Sequence, residues 1–346
     1  MNIKRIKLEN FRNIENLELC PSDKVNIIFG KNAQGKTNIL EAIWLFSGAK
    51  SQRTTKEQEF IKISAPFFRN ELEFFDGERD NNVVFTLSDK KDITYNGIKG
   101  KTTRFLAGKF NAVMFVPSDL LFVSGSPMIR RRFLDGVICQ LKPSYIDLIH
   151  QYQRTLLSRN QILKDINKSS ELYGVLDAYD IELSKKGTEI IKERIKFLDE
   201  LSLIAAEFYK GISKETEEMK CQYISTLNSA VSEENYYKAL KENRNIDLKN
   251  QTTSVGPHRD DIEIYINSLS ARKYASQGQQ RSIILTLKLS EGELIKRKTE
   301  RNPVFLLDDV MSELDEARQD FILNKVKENQ VFITCCDISS VLRLSK

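Results

Sequence analysis

Polar and apolar residues alternate through residues 3–19 (IKRIKLENFRNIENLEL), broken by a polar turn at 10–16. Period-two alternation on both sides of a turn predicts a two-stranded start to a sheet. Val25-Asn26-Ile27-Ile28-Phe29 is short and apolar enough for a buried strand, and residues 38–46 (NILEAIWLF) carry apolar side chains at helical spacing. Strand-like pieces follow at 67–75, 83–87 and 93–95. The turn signals Asp76-Gly77 and Asn96-Gly97 punctuate them, which predicts an antiparallel meander beside the main sheet. Residues 112–116 (AVMFV) form a fully apolar strand ended by Pro117, and Ser126-Pro127 opens a helix through Arg130, Arg131, Arg132, Phe133 and Leu134.

Prolines divide the rest. None occurs between Pro143 and Pro257, a span in which Tyr145, Leu148, Ile149, Tyr152 and Leu156, and later Ile191, Ile195, Leu198 and Leu201, recur at helical spacing. Residues 144–251 are therefore expected to be an all-helical insertion. Lys168-Ser169-Ser170, Gly187 and Gly211 interrupt its amphipathic stretches, which favours helices folding back on one another over one very long coiled coil. The strand pattern resumes at 262–266 (IEIYI), a helix-like run covers 283–295, and apolar strands are expected at 303–307 and 331–334. The fold reads as α/β: two lobes of one head, residues 1–143 and 252–346, around the insertion.

The chain has 346 residues, 40% of them hydrophobic, enough to bury a core. No run approaches the roughly eighteen apolar residues of a membrane span, and the alternating N-terminus lacks a signal-peptide core. A soluble, cytoplasmic protein is expected. Cys20, Cys139, Cys221, Cys335 and Cys336 make neither a disulfide framework nor a C-x-x-C metal pair, and are read as buried small hydrophobes. A net charge of +5 with 29% charged residues permits a polyanionic partner without requiring one.

Candidate chemistry centres on Gly30, Lys31, Asn32, Ala33, Gln34, Gly35, Lys36 and Thr37, the pattern G-x-x-x-x-G-K-T between a strand and a helix. The glycines let successive backbone N–H groups curl toward a triphosphate, and the following helix adds its positive end. Lys36 then neutralises the β and γ oxygens, while the Thr37 hydroxyl completes a Mg2+ shell. The polar turn carrying Arg12 and Asn13 feeds the P-loop strand, and reads equally as a contributor to the nucleotide pocket or as a solvated loop. An apolar strand ending in Asp308-Asp309 supplies the second element: Asp308 for the metal, Asp309 to polarise the attacking water. Ser276-Gln277-Gly278-Gln279 is another anion-binding helix start. A triphosphate with its own P-loop needs no second one in the same subunit, so this turn is expected to meet the triphosphate of a second copy across a two-fold axis. His258 beside Asp260 and Asp261 can be drawn as a metal site, but the only other histidine, His150, is far away in sequence, and no metal is expected there.

Together these motifs resemble the ABC-type ATPases of chromosome maintenance and repair, and among them the RecF family of bacterial DNA replication and repair proteins. The residues that carry the resemblance are 9–13 (ENFRN), 34–38 (QGKTN, with Asn38), the 115–135 stretch ending RRFLD, 256–261 (GPHRDD), 276–281 (SQGQQR), Asp308-Asp309 and Ser312-Glu313-Leu314-Asp315. The resemblance implies an ABC-type P-loop ATPase head, a mixed sheet with an antiparallel β subdomain, joined to an inserted helical lever domain. It implies ATP-dependent homodimerisation, slow DNA-dependent hydrolysis, binding of single- and double-stranded DNA, and cooperation with RecR and RecO in loading RecA at gaps. On this basis residues 30–37 are the Walker A loop, 276–279 the signature motif, Asp308 the Walker B acid, Asp309 the catalytic carboxylate and 312–315 the D-loop. The chain departs from the family pattern at Ile14, where an aromatic is usual, at Ala33, where glycine is commoner, and at Ser118, where an acid is usual.

Two other classes share the P-loop. A transporter ATPase is disfavoured by the insertion and by Thr334-Cys335-Cys336, which offers no switch histidine, and a small-molecule kinase leaves 276–279 unexplained. Candidate DNA contacts are Arg130, Arg131, Arg132 and the run from Lys185 and Lys186 to Lys196, each of which reads equally as a solvated or ion-paired helix face.

Overall fold

The computed structural model describes every residue except 32, 52, 55, 167–170, 228 and 337–346. The first alternating stretch folds as the hairpin β1 (Asn2–Phe11) and β2 (Ile14–Leu19). After β3 (Val25–Phe29) and α1 (Lys36–Leu45), the chain runs through β4 (Phe68–Phe75), β5 (Asp80–Leu87), β6 (Lys91–Tyr95) and the short β7 (Ile98–Gly100). These complete an antiparallel sheet of order β2-β1-β4-β5-β6-β7, the expected meander with one further strand.

The central sheet is parallel, and its strands come from both ends of the chain. β8 (Ala112–Phe115), β12 (Val304–Asp308) and β13 (Val331–Cys335) lie beside the P-loop strand in the order β3-β13-β12-β8. Val304 and Leu306 face one core together with α1 and the inner face of the antiparallel sheet. Phe305 and Leu307 face a second core with the insertion and the C-terminal helices. Burial on both faces is why β8, β12 and β13 read as continuous apolar runs, whereas β3 lies at the sheet edge with Val25 and Phe29 exposed and is not the buried strand expected.

After α2 (Pro127–Leu141), the span expected as the insertion opens with α3 (Pro143–Asp165), then α4 (Leu172–Ile212), a 41-residue helix that packs back along α3. Gly187 does not break α4. It lets the helix pass Tyr236, whose Cε1 a Cβ at Gly187 would meet at 2.3 Å. The insertion also holds one strand that helical spacing did not anticipate, β9 (Met219–Ile224), before α5 (Glu233–Glu242) and α6 (Arg244–Asn250). β9 pairs with β10 (Asp261–Ile266), which turns into β11 (Leu269–Ser270), so the insertion is stitched to the C-terminal lobe by backbone hydrogen bonds. The break expected at 168–170 lies outside the described residues. The chain closes with α7 (Ala271–Tyr274), α8 (Gln277–Thr299) and α9 (Glu316–Val326), the last two flanking β12 in sequence. Of the cysteines, Cys221 and Cys335 are buried as read, whereas Cys20 and Cys336 are exposed. Among the described residues no helix is long and apolar enough to cross a membrane.

Candidate functional site

The register of the parallel sheet brings three chain segments to one edge. Asp308 at the end of β12 lies opposite Thr334 on β13, which in turn lies opposite Ile28 on β3. Beyond β3 the loop turns through Gly30 (φ 156°), Ala33 (φ 65°) and Gly35 (φ 94°). Ala33 holds a left-handed conformation that costs an alanine about 1 kcal/mol. A Cβ at Gly35 would lie 2.8 Å from Asn13 Oδ1, so this position needs glycine both for its φ and for space. No side chain caps the start of α1, which leaves its first N–H groups for an anion.

Lys36 Nζ donates to the carbonyls of Gly30 (2.6 Å) and Lys31 (3.0 Å), closing the loop on itself. Thr37 Oγ1 donates to Asp308 Oδ1 at 2.9 Å, so the two groups read as metal ligands are adjacent. Thr334 Oγ1 donates to the same carboxylate oxygen at 2.8 Å and accepts from Asp309 N at 2.9 Å. Thr334 does not stand out in the sequence, where the only signal is a polar residue closing an apolar run. The Cys336 thiol lies 3.8 Å from Lys36 Nζ and 3.7 Å from Asp309 Oδ2, so lysine and acid stand one thiol apart. Lys31 and Gln34 are exposed, and Asn32 lies outside the described residues.

The turn after β1 divides its work. Arg12 closes on the buried Glu41 of α1 through Nε (3.0 Å) and Nη2 (2.9 Å), donates from Nη1 to Glu59 O, and stacks on Phe60. The residue of this turn that reaches the phosphate loop is Asn13, which donates to Ala33 O at 3.2 Å and accepts from Asn38 Nδ2 at 2.7 Å. Arg12 thus fixes the P-loop helix to the outer sheet.

Ser276 caps α8 in a reciprocal box with Gln279: its hydroxyl accepts from Gln279 N at 3.2 Å, and Gln279 Oε1 accepts from Ser276 N at 2.8 Å. Ser276 and Gln277 are exposed. Asp309 continues into the D-loop, where Ser312 Oγ donates back to Asp309 O at 2.8 Å, Glu313 pairs with Arg281 and Leu314 is buried. Asp315 caps α9 and pairs with Arg318, which also donates to Gly278 O (3.0 Å) and Ser282 Oγ (2.9 Å). Residues 312–315 and 276–279, read as D-loop and signature motif, therefore share one guanidinium.

The arginine run must be corrected. Arg130 is 1% exposed; it pairs with Asp261 at 2.7 Å and donates to the carbonyls of Phe122 and Gly125, so its guanidinium is taken up inside the protein. Burial works against the Asp261 carboxylate, but hydrogen bonds from Arg130 and Arg272 outweigh it and hold its pKa below the usual range. Arg131 is half-buried, donating to Asp260 O, and only Arg132 is exposed. Lys185 is exposed on α4, and Lys186 pairs with Glu182 at 2.7 Å. Arg130→Met is expected to cost about 1.5–3 kcal/mol in urea unfolding, because Asp261 loses one of its two arginine partners and keeps only Arg272, while the salt slope of DNA binding stays unchanged. A stable variant with a reduced slope would contradict this placement. His258 is likewise a core group: Nδ1 bonds Tyr152 Oη at 2.7 Å and Nε2 bonds Thr253 O at 3.0 Å, and burial pushes its pKa down to about 4.

Known proteins share this fold. The family model described as "RecF/RecN/SMC N terminal domain" matches residues 2–343. A DNA replication and repair protein RecF from Clostridium perfringens (strain SM101 / Type A) is 42% identical over 346 residues, 99% of this chain and 94% of its own. The chain belongs to the RecF family. Two solved structures agree: one described as the recombination mediator protein RecF-ATPrS in the RecFOR pathway (TM-score 0.92, 36% identity, 98% of this chain, 93% of that one). The second, RecF-ATP in the same pathway, has a TM-score of 0.90 at 36% identity, covering 97% of this chain and 92% of that one. Membership of the RecF family, an ATPase family of DNA replication and repair, displaces the transporter and kinase readings.

Proposed function

We propose that this RecF-family chain is an ATP-dependent DNA-binding protein of recombinational repair and replication, whose ATP joins two copies around DNA. It binds single- and double-stranded DNA, hydrolyses ATP slowly in a DNA-dependent way, and works in the cytoplasm with RecR and RecO to aid RecA loading at gaps. The observation that carries this reading is the hydrogen-bonded chain Thr37–Asp308–Thr334–Asp309 behind the P-loop, in a molecule whose signature serine is exposed.

The residues fit Mg2+. Thr37 Oγ1 and Asp308 Oδ1 are hard oxygen donors already 2.9 Å apart, and would hold the ion, which supplies charge neutralisation to the β- and γ-phosphates. Residues 30–38 cradle the triphosphate, with Lys36 moving from the Gly30 and Lys31 carbonyls to phosphate oxygens. Asp309 takes the proton of the attacking water. Ser276, Gln277, Gly278 and Gln279 close over the partner copy's γ-phosphate, and residues 312–315 line the seam between copies. Arg132 and Lys185 are the exposed cations offered to the DNA backbone.

Anisotropy titration of a labelled duplex, with and without ATP across a salt series, tests this reading. Affinity is expected to rise at least about tenfold with ATP, and log K to fall linearly with log salt at about −0.9 per phosphate contact. Binding that ignores both ATP and salt would contradict it.

A further inference from the structure

The signature turn is tied to more than its own helix. Gln279 Oε1 already holds Ser276 N, and its other amide atom, Nε2, donates to Glu217 Oε1 at 2.7 Å. The second oxygen of Glu217 accepts from Tyr209 Oη at 2.8 Å. Tyr209 is 1% exposed in the last turn of α4, and Glu217 stands in the turn between α4 and β9. That turn is fixed on both sides. Glu215 N donates to Lys210 O at 2.8 Å, and Glu218 N donates to Asn267 Oδ1 at 2.8 Å. Lys214 and Glu215 hold left-handed conformations (φ 52° and 62°), so the turn is held in one shape by its surroundings. One carboxylate thus links the end of the insertion helix to the side chain that orients Ser276.

We propose that Glu217 is a positioning residue that couples α4 to the signature turn, so that a nucleic acid backbone held by the insertion sets the orientation of Ser276 toward the second copy's triphosphate. The inference rests on the shared-site reading above. α4 has the reach this role needs, since its 41 residues span about 60 Å and Lys185 and Lys186 lie on it. A small tilt of its far part displaces Tyr209 and, through Glu217, Gln279. A carboxylate is the right relay because it accepts from two donors at once, and both of its bonds are charge-assisted.

The test uses the full chain with ATP, Mg2+ and a duplex oligonucleotide. It measures melting temperature, affinity for a fluorescent ATP analogue, sedimentation and turnover. Gln279→Glu sets two carboxylates face to face, and is expected to cut ATP-driven dimer and turnover at least about tenfold. Combining it with Glu217→Gln exchanges donor for acceptor and restores all three hydrogen bonds, so dimer and turnover are expected to rise at least about fivefold above the Gln279→Glu single variant. A loss through simple loosening of the turn would not be repaired by this exchange. Tyr209→Phe removes only the link to α4. It is expected to keep analogue affinity and melting temperature, while stimulation of turnover by duplex DNA falls toward onefold. No recovery in a folded double variant, or full DNA stimulation in Tyr209→Phe, overturns the coupling. Ser276→Arg separates the two levels. If that variant is inactive while the exchange fails, the coupling alone is wrong; if it dimerises and turns over like wild type, the shared site falls and the coupling with it.

Discussion

Replacing Lys36 by alanine is expected to weaken ATP binding by at least about a hundredfold and to leave the fold intact. Lys36 Nζ lies at the opening of the loop, donating to the Gly30 and Lys31 carbonyls. These two bonds show that the ammonium reaches back across the loop to its first residues. With nucleotide present it exchanges them for phosphate oxygens, and each charge-assisted bond is worth about 1.5–3 kcal/mol, so two exceed a hundredfold. The structural cost is small because Lys36 is only half-buried and water reaches the carbonyls it leaves. Calorimetric titration with ATP, paired with a melting curve, checks both halves. A Lys36→Ala chain that binds ATP within a few fold of wild type would remove the P-loop from the account.

Asp309→Asn is expected to have the opposite signature: ATP stays bound, dimer accumulates, and turnover falls by about 10²–10⁴, the usual contribution of a general base. The substitution is unusually clean. Asp309 holds φ 53°, a left-handed conformation that asparagine tolerates better than most residues. Its backbone bonds, from its N–H to Thr334 Oγ1 and from Ser312 Oγ to its carbonyl, do not involve the carboxylate. The change therefore removes a charge and a proton acceptor, and turns one of the two oxygens facing the Cys336 thiol into an amide. Single-turnover hydrolysis with labelled ATP, read beside sedimentation, separates binding from chemistry. Rapid turnover by Asp309→Asn would move the base elsewhere.

What the sequence made legible was whatever chemistry or burial dictates locally. The P-loop shows because a triphosphate cradle needs glycine, lysine and threonine at fixed offsets. β8 and β12 show because both faces are covered, and the antiparallel sheet because its strands alternate. Partners distant in the chain did not show. β9 was lost in a span dominated by helical spacing, since nothing local in residues 219–224 announces that β10 will pair with it. Gly187 read as an interruption, although the packing of Tyr236 explains it without any break in α4. The run Arg130-Arg131-Arg132 read equally as DNA contacts or as a solvated or ion-paired face, and because successive helical residues point about 100° apart, three in a row send one side chain inward. Arg130 is that one, and Asp261 is what it meets. Thr334, Asn13, Arg318 and Glu217 act on the site only through contacts the fold creates.

The claim that two copies share their triphosphates, each giving a cradle to one and a lid to the other, is tested most directly by sedimentation. Wild type and Ser276→Arg are compared with and without ATP and Mg2+, at concentrations well above micromolar and with duplex DNA added to each. Ser276 is exposed and its side chain serves only the helix cap, so the variant should stay folded and keep its own P-loop nucleotide. The account predicts a dimer for wild type with ATP alone or with DNA, and a monomer for Ser276→Arg under every condition. A wild-type chain that remains monomeric with saturating ATP, Mg2+ and DNA would contradict it.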